Sequence, residues 1–181
     1  ICILFSSCAE EHDITVSDIS FGSENSLDII TWNIENFPKS DLTIDYVTNF
    51  ISAIHDIDII ALQEISDQSS FNILVNSLNN ENWLGFRDSN SNYGELSYLI
   101  NTKNVTIIDS PYLILEDLEY YFAYRAPYVV RIAFNNQEYI IIDVHLKCCG
   151  DGLLNTNDDS DEETRRLWAN YYLKEYIDTY F

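Results

Sequence analysis

Apolar and polar positions in the first part of the chain follow the order strand, helix, strand, helix. Residues 27–33 form an apolar, β-branched run with a polar end, which predicts a buried strand. A helix capped by Ser40 or Asp41 is expected next, and residues 57–62 predict a second strand. Ser66 is then expected to cap a second helix. The predicted apolar faces are Ile44, Val47, Ile51 and Ile54 in the first helix and Phe71, Leu74, Val75 and Leu78 in the second.

Beyond residue 94 the apolar positions alternate with a period of two, which is typical of strands. The predicted strands are residues 95–101, 105–108, 128–134 and 138–144. Short polar loops at 101–104 and 135–137 predict hairpins. A last helix follows a Gly-, Asn- and Asp-rich loop, and its predicted core face is Ala169, Tyr172, Leu173, Tyr176, Ile177 and Tyr180. The whole pattern predicts one mixed α/β layered domain without internal repeats.

The amino-terminal residues ICILFSSC resemble the end of a signal sequence that runs into small residues. The last three are similar to a bacterial lipobox, which predicts lipid attachment at Cys8; the alternatives are a plain secretion signal and a chance apolar start. Residues 9–26 are polar and aperiodic, as expected of a linker, and the folded domain is predicted to span 27–181. We therefore expect an exported protein, either secreted or attached to the cell envelope.

Composition indicates a folded domain with an unusually acidic surface. The chain has 181 residues, of which 46% are hydrophobic and 14% aromatic, and this is enough for one domain with a sizeable core. Nine basic and thirty acidic residues give a net charge of −21. This charge argues against a protein that holds nucleic acid through phosphate contacts alone, and any phosphate ligand would need a bridging cation. A solvated, salt-adapted surface explains the same charge, and the two interpretations are compatible.

Three polar residues stand at or just after the ends of predicted strands: Asn33, Glu64 and His145. Ligands of α/β sheets bind at such strand ends, although each residue alone could simply mark the point where a strand meets water. A carboxylate such as Glu64 suits Mg²⁺, which prefers oxygen ligands and keeps several waters. The Asn33 amide could order a metal-bound water or a phosphate oxygen, and the His145 imidazole could donate a proton to the phosphate.

Four segments carry a resemblance to a known family. TWNIENF (31–37), DIIALQEI (58–65), Arg125-Ala126-Pro127 and IIIDVHLK (140–147) resemble, in order and spacing, successive motifs of the endonuclease/exonuclease/phosphatase superfamily. The resemblance implies a four-layer α/β/β/α sandwich of the deoxyribonuclease-I-like type, of which the chain would cover roughly the first half to two-thirds.

The resemblance also implies roles for individual residues. Glu64 would be the ligand of a catalytic Mg²⁺, with Mn²⁺ or Ca²⁺ as alternatives, and Asn33 would lie beside it. Glu95 would orient His145 and raise the pKa of its imidazole. Arg125 would contact the substrate phosphate, for which its forked donors are suited; an ordinary surface ion pair is the alternative.

The function implied is a divalent-metal-dependent phosphodiester hydrolase that acts on DNA or RNA, as a monomer that meets a membrane only through Cys8. Phospholipids or sugar phosphates are alternative substrates, and a non-catalytic envelope lipoprotein is the alternative of another class. The family's later motifs, Asp-x-Asn, a further Asp and Ser-Asp-His, do not follow Val144. Because the chain also ends on Phe181 inside a predicted helix, we expect the natural sequence to continue. We expect the 181-residue chain itself to be inactive, with one apolar sheet face exposed and a tendency to aggregate.

Three further features of the sequence lead to predictions. The acidic residues between 158 and 163 are expected to form a solvated loop and helix start, with Ca²⁺ binding as the less favoured alternative. Cys148 and Cys149 could be two buried thiols, a vicinal disulfide or a soft-metal pair. Thiols are favoured because no His or further Cys lies nearby at zinc spacing. Tyr93 and Tyr124 are expected to line a substrate groove.

Overall fold

The computed structural model describes residues 19–78, 82–89 and 95–181. The predicted lipid attachment site Cys8 and the groove residue Tyr93 lie outside these ranges. Within them, no helix combines the length and the apolar character that crossing a membrane requires.

The described residues form two sheets and three helices, together with a small pair of parallel strands. The strands are β1 (Ile19–Ser20), β2 (Ile29–Phe37), β3 (Ile54–His55), β4 (Ile59–Ile65), β5 (Trp83–Arg87), β6 (Glu95–Asn101), β7 (Thr106–Leu113), β8 (Tyr128–Phe134) and β9 (Gln137–Asp143). The helices are α1 (Thr43–Ala53), α2 (Gln68–Leu78) and α3 (Glu162–Tyr180), and Glu116–Leu118 forms a short 3-10 helix. Strand β1 falls within the predicted linker and pairs with β3.

The first sheet has the strand order β2-β4-β6-β5. Strands β2 and β4 are parallel, since helix α1 connects them, whereas β6 runs antiparallel to β4 and β5. Both central strands are buried along nearly their whole length, as their continuous apolar runs require. Helices α1 and α2 cover one face through a core that includes Phe37, Val47, Ile51, Phe71 and Leu74.

The second sheet, β7-β8-β9, is antiparallel and packs on the other face of the first. The Tyr98 and Tyr128 rings stack between the sheets with their centroids 5.5 Å apart. The Tyr98 hydroxyl donates to the Tyr128 carbonyl oxygen at 2.7 Å, so a buried polar group is satisfied within this core. The expectation of an exposed apolar sheet face is therefore wrong for the described residues, because β7–β9 already cover it.

Several local predictions need correction. The loop at 101–104 is not a hairpin, because β6 and β7 belong to different sheets. Strand β5 was not predicted. Helix α2 is capped by Asp67, whose Oδ1 accepts from the Ser70 amide at 2.6 Å, and not by Ser66. Of the predicted core face of α3 only Ala169 is buried, and Tyr180 is 67% exposed.

The predicted hairpin at 135–137 is confirmed. Phe134 pairs with Gln137, and the two residues between them, Asn135 and Asn136, have φ values of 49° and 63°. Positive φ at both central residues is the requirement of a type I′ turn, whose twist matches that of the strands. Asn tolerates this conformation better than most residues do.

Replacing Asn136 by Gly should stabilise the protein, because glycine adopts positive φ without steric cost. We expect the free energy of unfolding to rise by up to about 1 kcal/mol, measured by urea denaturation. Asn157→Gly is the matched control, since Asn157 is an exposed loop residue whose φ is not positive. This variant should show no gain in the free energy of unfolding. An equal gain in both variants would contradict the turn argument.

Candidate active site

Glu64 lies where the pairing of both of its neighbouring strands becomes irregular. The β2–β4 register is regular up to the pair Asn33 and Gln63 and shifts before Phe37 and Ile65 pair. The β4–β6 register also shifts between Leu62 and Ile65. Glu64 itself has a φ of 63°, which is uncommon for a residue with a side chain. Bulges and strained backbone of this kind concentrate next to functional sites.

The Glu64 carboxylate is held by two donors from β2. Asn33 Nδ2 donates to Oε1 at 3.0 Å, and the Asn36 amide donates to Oε2 at 3.1 Å. The hydrogen bond from Asn33 is the main reason that the pKa of Glu64 lies below its usual value, and burial opposes it only in part. Glu64 is therefore an ionised carboxylate at neutral pH, and Asn33 fixes its direction.

His145 follows β9 and faces the same carboxylate. Its Nε2 lies 3.7 Å from Glu64 Oε1, which is an electrostatic contact and too long for a hydrogen bond. Burial lowers the pKa of His145, Arg125 lowers it further, and Glu64 raises it. The predicted increase in the imidazole pKa is thus reversed, and His145 is neutral at pH 7. Its Nδ1 is buried and has no hydrogen-bond partner among the described residues.

Arg125 and Glu95 interact electrostatically. Burial lowers the pKa of Arg125, while the charges of Glu64 and Glu95 raise it, so the guanidinium remains a cation. Glu95 is 1% exposed at the start of β6, opposite Ile65. In this structure its charge acts on Arg125, and its pairing with His145 stays a prediction.

The segment that carries Arg125 is held by Arg165 of helix α3. Arg165 Nε donates to the Tyr120 carbonyl oxygen at 3.1 Å, and its guanidinium carbon lies 4.2 Å from the Tyr120 ring centroid and 5.5 Å from that of Tyr124. The backbone at Ala123 and Tyr124 has positive φ, 55° and 63°. A buried cation thus supports an irregular turn directly before Arg125.

These residues line one cavity of about 380 Å³. Its lining consists of Asn33, Glu64, Ala123, Tyr124, Arg125, His145, Leu146, Lys147, Cys148 and Arg165. The cavity unites four of the predicted residues with Tyr124, which was predicted to line a groove. Lys147 and Arg165 were missed: the first stands within the IIIDVHLK segment, whereas nothing in the sequence connects the second with Arg125. Three of the nine Lys and Arg residues of this acidic chain therefore line a single cavity.

The acidic loop before α3 forms a capped helix start, as the favoured interpretation predicted. Carboxylate oxygens of Asp151, Asp161 and Glu163 lie within 4.8 Å of one another. A backbone amide donates to each of the three carboxylates at 2.8 Å: Leu153 to Asp151 Oδ1, Thr164 to Asp161 Oδ2 and Gly152 to Glu163 Oε1. Asp161 is the N-cap of the helix.

Glu64 is the residue of the cavity that fits a hard cation. It offers an ionised, oriented carboxylate, and Mg²⁺ typically takes one or two carboxylates and completes its coordination with water and substrate phosphate. Arg125 and His145 line the same cavity as Glu64. The side chains present would thus fit a divalent cation held by Glu64.

Solved structures share the fold of this chain. TDP2 from Caenorhabditis elegans is similar with a TM-score of 0.58 and 15% identity, over 84% of this chain and 43% of that one. An endonuclease/exonuclease/phosphatase family protein from Leptotrichia buccalis C-1013-b gives 0.52 and 11%, over 81% and 61%. The 3′ phosphatase NExo from Neisseria, bound to a product DNA hairpin, gives 0.51 and 16%, over 85% and 54%.

At 11 to 16% identity these likenesses show the fold alone, and the predicted deoxyribonuclease-I-like fold class is confirmed. The chain spans 43 to 61% of the length of these three structures. No protein-family model and no curated protein matches the sequence.

Proposed function

We propose that this chain, which has the fold of the endonuclease/exonuclease/phosphatase proteins, supplies Glu64, Arg125 and His145 to the active site of a divalent-metal-dependent phosphodiester hydrolase. DNA or RNA is the substrate we favour. The proposal includes export, supported by the signal-like first residues, with Cys8 as the point of lipid attachment.

One observation carries the proposal: an oriented anion and a group of cations share one cavity in a chain of net charge −21. Surface cations of an acidic protein would otherwise be expected to disperse among the carboxylates. Placing Arg125 and Lys147 around the Glu64 carboxylate creates a local site for a phosphate bridged by a metal ion.

Each residue has a distinct part in the proposed reaction. Glu64 would hold the cation, which when bound neutralises charge that develops on the phosphate. Arg125 would orient the phosphate through its forked donors. Asn33 keeps the carboxylate in place through its 3.0 Å hydrogen bond. His145, neutral because its pKa is lowered, would donate one N–H to a phosphate oxygen and need not transfer a proton from an imidazolium.

Nucleic acid is favoured over other phosphodiesters for two reasons. The Neisseria phosphatase of similar fold is bound to a DNA product. The Tyr124 side chain lines the cavity and could stack on a base. The strong negative charge of the chain predicts weak non-specific affinity for long duplexes, so recognition would be local to the cleaved phosphate.

The test compares two arginine variants in the complete protein that contains this chain. Arg125→Ala should lower kcat/KM for bis(p-nitrophenyl) phosphate about 10- to 100-fold, the range of a lost charge-assisted hydrogen bond. Arg131→Ala is the control, because the Arg131 guanidinium is bound by Asp109 and Glu138 on the second sheet at 2.8 and 3.0 Å. It should leave the rate unchanged.

Plasmid DNA, RNA and a phospholipid are assayed in parallel, with Mg²⁺ and with EDTA. Faster cleavage of either nucleic acid, abolished by EDTA, supports the proposal. Activity that survives EDTA, or equal losses in the two arginine variants, would overturn it. Complete inactivity on every phosphodiester would favour the non-catalytic lipoprotein.

A further inference from the structure

Cys148 and Cys149 stand next to each other at the wall of the candidate active site. The Cys149 thiol donates to Cys148 Sγ, with the two sulfurs 3.0 Å apart. Both residues are exposed, so the expectation of buried thiols is wrong. Cys148 lines the cavity that also holds Glu64 and Arg125. A reagent that enters this cavity therefore meets a thiol whose neighbour is a second thiol.

The surroundings make the two sulfurs chemically different. The hydrogen bond from Cys149 lowers the pKa of Cys148, and the charges of Lys147 and Arg125 act in the same direction. The pKa of Cys149 is raised, chiefly because its proton is engaged by Cys148. Lysine and arginine next to a thiol favour the thiolate, which is the nucleophilic form. Cys148 is thus suited to attack first and Cys149 to attack second.

The Arg166 side chain and a tight turn fix the backbone around Cys148 and Cys149. Arg166 Nη1 donates to the carbonyl oxygens of Lys147 and Cys149, at 2.8 and 3.0 Å. Cys149 has a φ of 69° and Gly150 one of 95°. Residues with a Cβ rarely adopt the φ of Gly150, so this turn favours glycine. Because the turn is fixed against α3, the thiols are adjacent before any reaction begins.

We propose that Cys148 and Cys149 form a redox-active dithiol, which low-molecular-weight disulfides oxidise to a vicinal disulfide at the wall of the cavity. The Cys148 thiolate attacks one sulfur of the small disulfide, forming a mixed disulfide and releasing one thiolate. Cys149 then loses its proton and attacks Cys148 Sγ, which releases the second small thiolate. Two protein thiols are oxidised, one small disulfide is reduced, and the two protons leave with the released thiols.

A soft-metal site fits the same residues less well. Within the described ranges, the two cysteines belong to no group of three or more ligand side chains close enough to share an ion. The nearest charged groups that act on Cys148 are the cations Lys147 and Arg125, which oppose binding of a further cation. Thiolate attack, in contrast, is favoured by the same cations.

An exposed vicinal disulfide is expected to be easily reduced. Closure joins neighbouring residues in a small ring, and exposed or strained disulfides have higher reduction potentials than structural ones. The pair should therefore respond to the thiol-disulfide balance of its surroundings. This chemistry does not depend on the proposed hydrolase activity.

The test equilibrates the full chain with mixtures of reduced and oxidised glutathione, blocks free thiols with N-ethylmaleimide, and digests with trypsin. Cleavage after Lys147 and Arg165 gives the peptide 148–165, whose only cysteines are these two. At an oxidising ratio we expect this peptide to lack two hydrogens and to carry no maleimide. At a reducing ratio it should carry two maleimides.

Two variants separate the roles of the sulfurs. Cys149→Ser should stop at a glutathione adduct on Cys148, since no second thiol can displace it. Cys148→Ser keeps only Cys149 and should react more slowly with glutathione disulfide. The charges of Lys147 and Arg125 lower the pKa of Cys148, whereas the pKa of Cys149 is raised. Two maleimides at every ratio, or a doubly glutathionylated peptide, would overturn the proposal. Hydrolysis is assayed separately in the complete protein: its absence in every redox state would count against the proposed function and leave the peptide result unaffected.

Discussion

Replacing Glu64 by Gln should abolish metal-dependent hydrolysis by the complete protein. Gln has the same shape but no negative charge, so the cavity loses its anionic oxygen donor for a cation. We expect kcat/KM to fall at least about 100-fold, on the order of 3 kcal/mol of lost transition-state stabilisation. Mn²⁺ binding, followed by electron paramagnetic resonance, should weaken in parallel, which separates loss of the ion from loss of substrate.

The variant also tests how the carboxylate is held. In the wild type, one Glu64 oxygen accepts from Asn33 and the other from the Asn36 amide, whereas Gln offers only one oxygen. One donor should lose its acceptor, at a cost of about 1 kcal/mol in the free energy of unfolding. Thermal melts should therefore show a folded protein that is slightly less stable.

Glu35→Gln is the matched control. Glu35 lies on β2, its side chain is 72% exposed, and Lys39 Nζ contacts it at 2.6 Å. An exposed ion pair of this kind contributes little to stability, so the variant should fold normally, with activity and Mn²⁺ affinity unchanged. If Glu64→Gln kept full activity while remaining folded, the metal site would have to lie elsewhere.

The sequence predicted that Asn33 and Glu64 lie together because both stand at the ends of strands that can be recognised locally. Glu64 ends a run buried on both faces, and Asn33 belongs to the strand parallel to it. Parallel neighbours bring their carboxyl ends to one sheet edge, so the hydrogen bond between Asn33 and Glu64 agrees with their placement. Strands β6 and β8 match their predicted limits for a similar reason, since a turn follows each apolar run.

Other features depend on contacts that no local pattern contains. The polar loop 101–104 has the composition of a hairpin, but the pairing of β7 with β8 carries the chain to the second sheet. Strand β5 is short and contains Gly85, so its alternation is weak. Arg165 looks like an ordinary helix residue, and only the fold brings it to Tyr120.

The pKa of His145 illustrates the same limit for electrostatics. The resemblance placed the Glu95 carboxylate beside the His145 imidazole and implied a raised imidazole pKa. The fold adds burial and the charge of Arg125, and these outweigh the effect of Glu64. The sign of a pKa shift depends on every group around the site, so a single predicted partner cannot determine it.

Asp143→Asn should make the protein more stable above neutral pH. Asp143 is 4% exposed and lies between the sheets, where Gln63 Nε2 donates to its Oδ1 at 2.7 Å. Its Oδ2 is buried without a hydrogen-bond partner among the described residues. Burial raises the pKa of Asp143 from 3.8 to about 7, and the bond from Gln63 opposes this increase only in part. At pH 8 the folded protein must therefore keep a buried carboxylate ionised.

The sign of the pH dependence follows from which state binds the proton. Between about pH 4 and about pH 7, the folded state holds the Asp143 proton and the unfolded state has released it. Stability must then fall as the pH rises through this window and level off above it. The difference between 3.8 and about 7 corresponds to roughly 4 kcal/mol as an upper limit.

The amide of Asp143→Asn would be neutral at every pH and could still accept from Gln63, so the substitution should remove this slope. Urea denaturation of wild type and Asp143→Asn at pH 4.5 and pH 8 measures the effect. We expect similar free energies of unfolding at the lower pH and a gain of up to about 4 kcal/mol in the variant at the higher pH. Asp109→Asn, at an exposed position on the same sheet, should leave the slope unchanged. A gain of equal size at both pH values would show that shape, and not the charge of Asp143, limits packing between the two sheets.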